Sequence, residues 1–310
     1  MRDIAIPLPI ARALLNPFYR VGLNERLPWR AQRALLDIGS RLQPVPSGTV
    51  VHRLRLGGRP AERHGTAASD SSAAVLYLHG GGYAVGSTAT HRSLTARLAH
   101  QTGVPVYSLD YRLAPEHPFP AALDDAEAAF VELVDGLGLS PSRIAIAGDS
   151  AGGGLSLATA QRLIARHGYT PAALGLIAPW ADPNQIPDRH RDLVISKPWS
   201  RACAEAYLGG GDNTDPGYAP LRGMLHGLPP TYVQVDTGEL LHSQCIELAA
   251  ALRAAGVTVA FTESSGLWHV AQLQAALVGS ASSILRELAD FLCEAISGEA
   301  IPEAHLRDLG

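Results

Sequence analysis

Residues 143–152 read R-I-A-I-A-G-D-S-A-G, and the fold is decided there. The first five residues have the look of a short buried strand, and G-D-S-A-G fits the pattern G-x-S-x-G. A helical stretch over 151–167 follows at once, with Gly152, Gly153 and Gly154 in its first turn. Strand, serine and helix in that order make a nucleophile elbow, a strained turn that lifts a serine Oγ to the top of a sheet. Small residues are needed because strand and helix pack closely about the bend. The competing reading is a glycine-rich phosphate cradle at a helix N-terminus. Its P-loop form requires G-K-[ST], which does not follow here. Ser150 is therefore the candidate nucleophile.

Working outward, short apolar runs alternate with longer Ala/Leu-rich ones from about residue 74. Strands are predicted over 74–79, 104–111, 143–149, 173–180, 231–236 and 257–263, with an earlier strand pair around 50–56 and its Gly-Gly turn. Helices are predicted over 91–101, 122–136, 151–167, 241–255 and 270–296. Most of the strands are apolar on both faces, as strands sandwiched between helices are. The alternation predicts an α/β fold with a mostly parallel central sheet flanked by helices. Two stretches break the rhythm. Residues 1–45 are rich in Leu, Arg and Ala and form a predicted helical N-terminal segment. Residues 183–229 are a Pro/Gly/Asp-rich insertion with one helix expected over 199–208. Insertions beyond the carboxyl ends of strands tend to cover the ligand crevice, so the two stretches read as one cap over a catalytic domain spanning 46–310. A cap built from two distant segments predicts a closed site for small substrates.

Composition narrows the function. The 310 residues carry a formal net charge of −4 and no basic stripe, which argues against a nucleic-acid partner. No apolar run approaches the length of a membrane span. The N-terminal M-R-D-I-A-I-P-L-P-I-A-R-A-L-L has one early arginine, an aspartate and two prolines in its apolar part, which is poor for a signal peptide. Three scattered cysteines, Cys203, Cys245 and Cys293, suit neither a disulfide framework nor a zinc site, and a cytoplasmic setting is expected.

A second motif, H-G-G-G-Y at 79–83, directly follows a predicted strand. Acyl transfer builds negative charge on a carbonyl oxygen, and backbone N–H groups aimed at that oxygen stabilise it. Glycines let the backbone approach without a Cβ in the way. The bland alternative is a flexible turn.

H-G-G-G, then D-Y-R-L-A-P-E-H-P-F-P-A-A-L-D-D (110–125), then G-D-S-A-G resembles the hormone-sensitive-lipase-like (bacterial family IV) esterases of the α/β-hydrolase superfamily. The resemblance runs from about Val75 to His269. It implies an α/β-hydrolase fold with a helical cap and hydrolysis of short- to medium-chain acyl esters without cofactor or metal. It also implies an oxyanion hole from the amides of Gly81, Gly82 and Ala151, and homodimerisation.

A serine needs a base. In this superfamily the order is serine, acid, histidine. Of twelve histidines, His269 follows the last predicted strand and the loop S-S-G-L-W, at the same end of the sheet as Ser150. His305 in the tail is a poor competitor. His79 reads as a support for the oxyanion loop, and Asp149 and Glu116 as hydrogen-bond partners.

The acid is less plain. V-D-T-G-E-L-L at 235–241 offers Asp236 at the strand end and Glu239 in the turn beyond. Both carboxylates would be used locally if D-T-G-E were a helix capping box. The resemblance favours Glu239, which fits its [DE]-x-L pattern, and Asp236 stays as the alternative. Candidate pocket walls are Tyr83, Trp29, Trp180, Trp199 and Tyr207, with Phe18 and Tyr19 from the N-terminal segment. The expected activity is a serine carboxylesterase. Lactone or amide hydrolysis on the same groups is the alternative. A catalytically silent binding protein on this fold would tend to lose the histidine, which this chain keeps.

Overall fold

The computed structural model describes residues 6–185 and 189–299, so His305 and the start of the N-terminal segment lie outside the described residues. The strands are β1 (Val50–Leu56), β2 (Arg59–Gly65), β3 (Ala74–Leu78), β4 (Val106–Leu109), β5 (Ile144–Asp149), β6 (Leu174–Ile177), β7 (Thr231–Asp236) and β8 (Val259–Ser264). They form one eight-stranded sheet in the order β1-β2-β4-β3-β5-β6-β7-β8. The β1–β2 hairpin pairs antiparallel, as does β2 with β4, and every other pair is parallel. The helices are α1 (Leu8–Gly22), α2 (Trp29–Ser40), α3 (Thr88–Thr102), α4 (Ala121–Val131), α5 (Ala151–His167), α6 (Lys197–Leu208), α7 (His242–Ala254) and α8 (Gly279–Ser297).

Side chains alternate across a strand, and β5 shows what that does here. Ile144 and Ile146 join the core that includes Leu123 of α4, Leu155 of α5 and Leu248 of α7. Ala145 and Ala147 face the opposite core, with Leu94 and Leu98 of α3 and Leu285 and Leu292 of α8. Both faces of the strand are dry, which is why its sequence is apolar without interruption. Parallel strands share a direction, so the carboxyl ends of β5, β7 and β8 lie along one edge, where α/β sheets bind ligands.

The closing helix is shorter than its apolar pattern. Val270 adopts a left-handed backbone (φ 53°), a short 3-10 turn covers Ala271–Gln274, and α8 begins only at Gly279. A β-branched residue in that region stops an α-helix from starting there.

The elbow is as tight as its glycines imply. A Cβ on Gly152 would run into the backbone carbonyls of Leu78 and His79, where β3 passes into the glycine loop. Gly152→Ala is expected to lower Tm by roughly 2–5 °C, from an overpacking cost of about 1–3 kcal/mol in a chain of this size. An unchanged melting temperature by calorimetry would mean that α5 sits further from β3 than described.

Candidate active site

Ser150 caps the turn from β5 into α5 at φ 52° and ψ −120°, a strained setting for a side chain with a Cβ. The surrounding backbone fixes it there. Its N–H donates 2.8 Å to the Ile177 carbonyl, and its own carbonyl accepts from Trp180 at 2.8 Å and Gly154 at 3.1 Å. The hydroxyl lies 2.9 Å from His269 Nε2. His269 Nδ1 lies 2.6 Å from Glu239 Oε2. All three side chains are buried. With a carboxylate on Nδ1, the neutral ring carries its proton on that nitrogen, which leaves Nε2 free to accept from the serine. Burial disfavours an imidazolium at His269, but the Glu239 carboxylate outweighs it and holds the pKa above the usual histidine value. Burial likewise raises the Glu239 carboxyl, with the His269 bond opposing it.

The two carboxylates of D-T-G-E divide the work. Glu239 Oε1 accepts from the Asp236 amide at 2.8 Å, which aims Oε2 at the ring. Asp236 turns the other way. Its Oδ2 accepts from the Leu267 amide at 2.8 Å and Ser264 Oγ at 3.0 Å, and its Oδ1 from the Gly238 amide at 2.9 Å. It therefore clasps the loop that carries His269. The local bonds of a capping box exist in part, but α7 starts later, at His242, behind a Leu241 cap with no side-chain bond. Asp192, from the insertion, accepts from the Leu240 amide at 2.9 Å and braces the acid-bearing turn. Nothing in the spacing of the sequence marks that aspartate.

The glycine loop is held by groups flanking the serine. Asp149 Oδ1 accepts from the Gly80 amide at 3.0 Å and from Tyr77 Oη at 2.9 Å, and Oδ2 faces His91 Nε2 at 3.3 Å. Burial would raise the Asp149 carboxyl, yet the charge and bonds of His91 and Tyr77 hold it below the usual carboxylate range. His79 stacks on Tyr111 with ring centres 4.2 Å apart and donates from Nδ1 to the Gly80 carbonyl at 2.8 Å. Burial pushes its pKa down to about 3, so it is a neutral strut. Gly81 sits at φ 117° and Gly82 at φ 61°, and a Cβ on Gly81 would strike the Val85 carbonyl. Ala151 opens α5 directly after the serine. On the far side of the loop, Arg33 of α2 donates 2.8 Å to the carbonyls of Ala84 and Ala114 and pairs with Glu116 at 2.7 and 3.0 Å. Glu116 thus belongs to the seat of α2 and stands away from the reacting groups.

A cavity of about 380 Å³ opens onto Ser150, His269 and Gly81. Its walls are largely apolar: Leu14, Leu15 and Phe18 of α1, Leu36 of α2, Trp199 of α6, and Leu277 before α8. Tyr19 lines it as well. Of the seven aromatic walls expected from the sequence, Phe18, Tyr19 and Trp199 are there. Tyr83 and Tyr207 stack face to face, 3.7 Å between ring centres, and bury each other behind the glycine loop. Trp180 borders a separate hollow of about 260 Å³. Trp29, at the start of α2, is half-buried outside both cavities. Large rings find partners in the core, and leucines from an amphipathic helix make the wall instead. The helical period of residues 8–22 was the available signal for Leu14 and Leu15, which the sequence reading left out.

A family model of the alpha/beta hydrolase fold matches residues 75–273. The chain is 39% identical over 249 residues to the acetyl-hydrolase of Streptomyces hygroscopicus, an alignment covering 78% of this chain and 79% of that protein. It is 33% identical over 287 residues to an esterase of Acinetobacter venetianus, covering 90% of this chain and 93% of that one. Among solved structures, a hormone-sensitive lipase from a metagenome library superposes with a TM-score of 0.88 at 34% identity, covering 95% of this chain and 100% of the other. The chain therefore belongs to the α/β-hydrolase fold family, in its branch of bacterial hormone-sensitive-lipase-like esterases. Among the described residues, no helix is long and apolar enough to cross a membrane.

Proposed function

We propose that this carboxylic ester hydrolase works through an acyl-serine intermediate on short- to medium-chain esters. The observation that carries the reading is the buried relay from Ser150 Oγ to His269 Nε2 (2.9 Å) and from His269 Nδ1 to Glu239 Oε2 (2.6 Å). Ser150 Oγ attacks the ester carbon while His269 Nε2 takes its proton. The carbonyl oxygen becomes an oxyanion facing the amides of Gly81, Gly82 and Ala151. Each such donor contributes about 3–4 kcal/mol by the usual mutational measure. On collapse, His269 returns the proton to the leaving alkoxide and the acyl group stays on Ser150. A water molecule, deprotonated by the same nitrogen, then releases the acid. Glu239 holds the ring and stabilises its charged form. Asp236, Asp149 and Arg33 position the loops that carry the reacting groups.

Residues 1–45 and 183–229 act together as the cap. The bond from Trp199 Nε1 to Gln32 Oε1, 2.9 Å and buried, joins the two segments and supports that division. Three free thiols support a reducing, cytoplasmic setting. Homodimerisation stays an expectation of the resemblance.

The test is turnover of p-nitrophenyl butyrate at neutral pH, paired with a fluorophosphonate probe read by intact mass. One adduct on Ser150 together with measurable turnover is the expected result. An adduct without turnover moves the reading to lactones or amides. Neither adduct nor turnover leaves a silent binding protein.

A further inference from the structure

The wall of the cavity is also part of the outer surface. Leu14 and Leu42 both line the cavity, yet they are 65% and 84% exposed. The site expected to be closed is thus open at a rim formed by α1 and the chain just past α2. The rim does not stand alone. Ile10, Leu14 and Val21 fall within about 40° of one another on α1 at 100° per residue, and all three are more than half exposed. Ile38, one helical turn before Leu42, is exposed too, as is Val45 beyond it. Six of the eleven exposed large hydrophobics found among the described residues lie between 10 and 45. Solitary exposed leucines need no explanation, but a patch around a pocket mouth does.

Charge says what the patch faces. Arg20, Arg26, Arg30 and Arg41 of this segment are exposed, against Glu25 as the one exposed carboxylate among its described residues. Arg12, Arg33 and Asp37 are engaged elsewhere, with the Leu267 carbonyl, Glu116 and Ser87. The rest of the molecule outweighs this segment, for the chain as a whole is at −4. Apolar ridges set among arginines, on helices lying flat on the surface, are the composition of an interfacial helix on anionic lipid. A second copy is the poorer occupant. A two-fold contact through this face would set the same arginines against one another.

We infer that the α1–α2 face docks on an anionic lipid–water interface, with the pocket mouth between Leu14 and Leu42 turned toward it. The docking stands on the surface alone. It rests on the esterase reading only for its consequence, that an acyl chain passes from the lipid layer into the pocket without crossing water.

The experiment is co-sedimentation of the full chain with phosphatidylcholine vesicles, with and without phosphatidylglycerol, at low and high salt. Phosphatidylglycerol should raise the bound fraction at least about tenfold, and salt should reverse the gain. The triple variant Ile10→Ser/Val21→Ser/Ile38→Ser, none of whose positions lines the cavity, should lose that binding and keep its turnover of dissolved p-nitrophenyl butyrate. Arg20→Glu/Arg41→Glu should lose the preference for the anionic vesicle. No binding to either vesicle, equal binding to both, or binding that the triple variant retains would overturn the inference. Dimers in sedimentation velocity that the triple variant abolishes, without vesicle binding, would assign the face to a second copy. Loss of the esterase reading would appear as absent turnover with vesicle binding intact, so the two failures are separable.

Discussion

Ser150→Ala is expected to lower kcat for p-nitrophenyl butyrate by about a million-fold while leaving Tm within a few degrees of the parent. The hydroxyl makes one described hydrogen bond, to His269, and the backbone bonds that hold the turn involve only main-chain atoms. Removing it takes away the atom proposed to form the acyl bond and little of what shapes the elbow. Alanine can enter the strained φ of 52° no more easily than serine, so the strain is unchanged. The glycine loop and pocket remain, so a residual rate above water from the oxyanion donors is expected. A variant that kept a tenth of the parent activity would remove Ser150 as nucleophile and direct the search to another group on the cavity wall.

Glu239→Gln comes next in size, with kcat down about 10,000-fold, because an amide facing Nδ1 favours the wrong tautomer and no longer supports the imidazolium. The pH profile gives a second reading. The proposed mechanism needs neutral His269, so kcat/KM should fall as pH drops through the histidine pKa. The Glu239 carboxylate holds that pKa above its ordinary value. Without it the acid limb of the residual activity moves to lower pH. Asp236→Asn behaves otherwise. Its oxygens accept from Leu267, Ser264 and Gly238, and an NH2 group in place of either would oppose a donor. The expected outcome is a lowered Tm, a kcat loss of at most about a hundred-fold through displacement of the His269 loop, and an acid limb left in place. Stopped assays of both variants across pH decide between the carboxylates. If the pattern were reversed, Asp236 would be the group acting on the ring.

The sequence was legible where one local rule sufficed. β5, the elbow and α5 came from period, a glycine pattern and a helix start that agree with one another. β7 ended at Asp236 as its apolar run did. D-T-G-E resisted because both of its carboxylates have a local use and a long-range one, and only the folded chain shows that Glu239 spends one oxygen on each. Part of the aromatic wall failed for a similar reason. Tyr83 and Tyr207 are 124 positions apart in sequence, and nothing local to either announces their stacking. Asp192 was invisible because its partner is a backbone amide, which every residue offers.

The seat of the N-terminal helices has a consequence in time. Arg12 donates to the carbonyl of Leu267, and Tyr19 Oη accepts from Gln274, each pair 255 residues apart. At roughly 5–20 residues per second of synthesis, the partners leave the ribosome on the order of 10–50 s after the helices do. Throughout that interval α1 carries two unsheltered apolar faces, one meant for the protein and one for its surroundings, whereas α2 already has its seat on Ala84, Ala114 and Glu116. α1 is made long before its seat exists, and the pocket has no wall on that side until it docks. A chaperone that binds apolar segments, or a membrane surface, would find its best target in α1 during that wait, and a change that loosens the seat of α1 would be felt first in the yield of active enzyme.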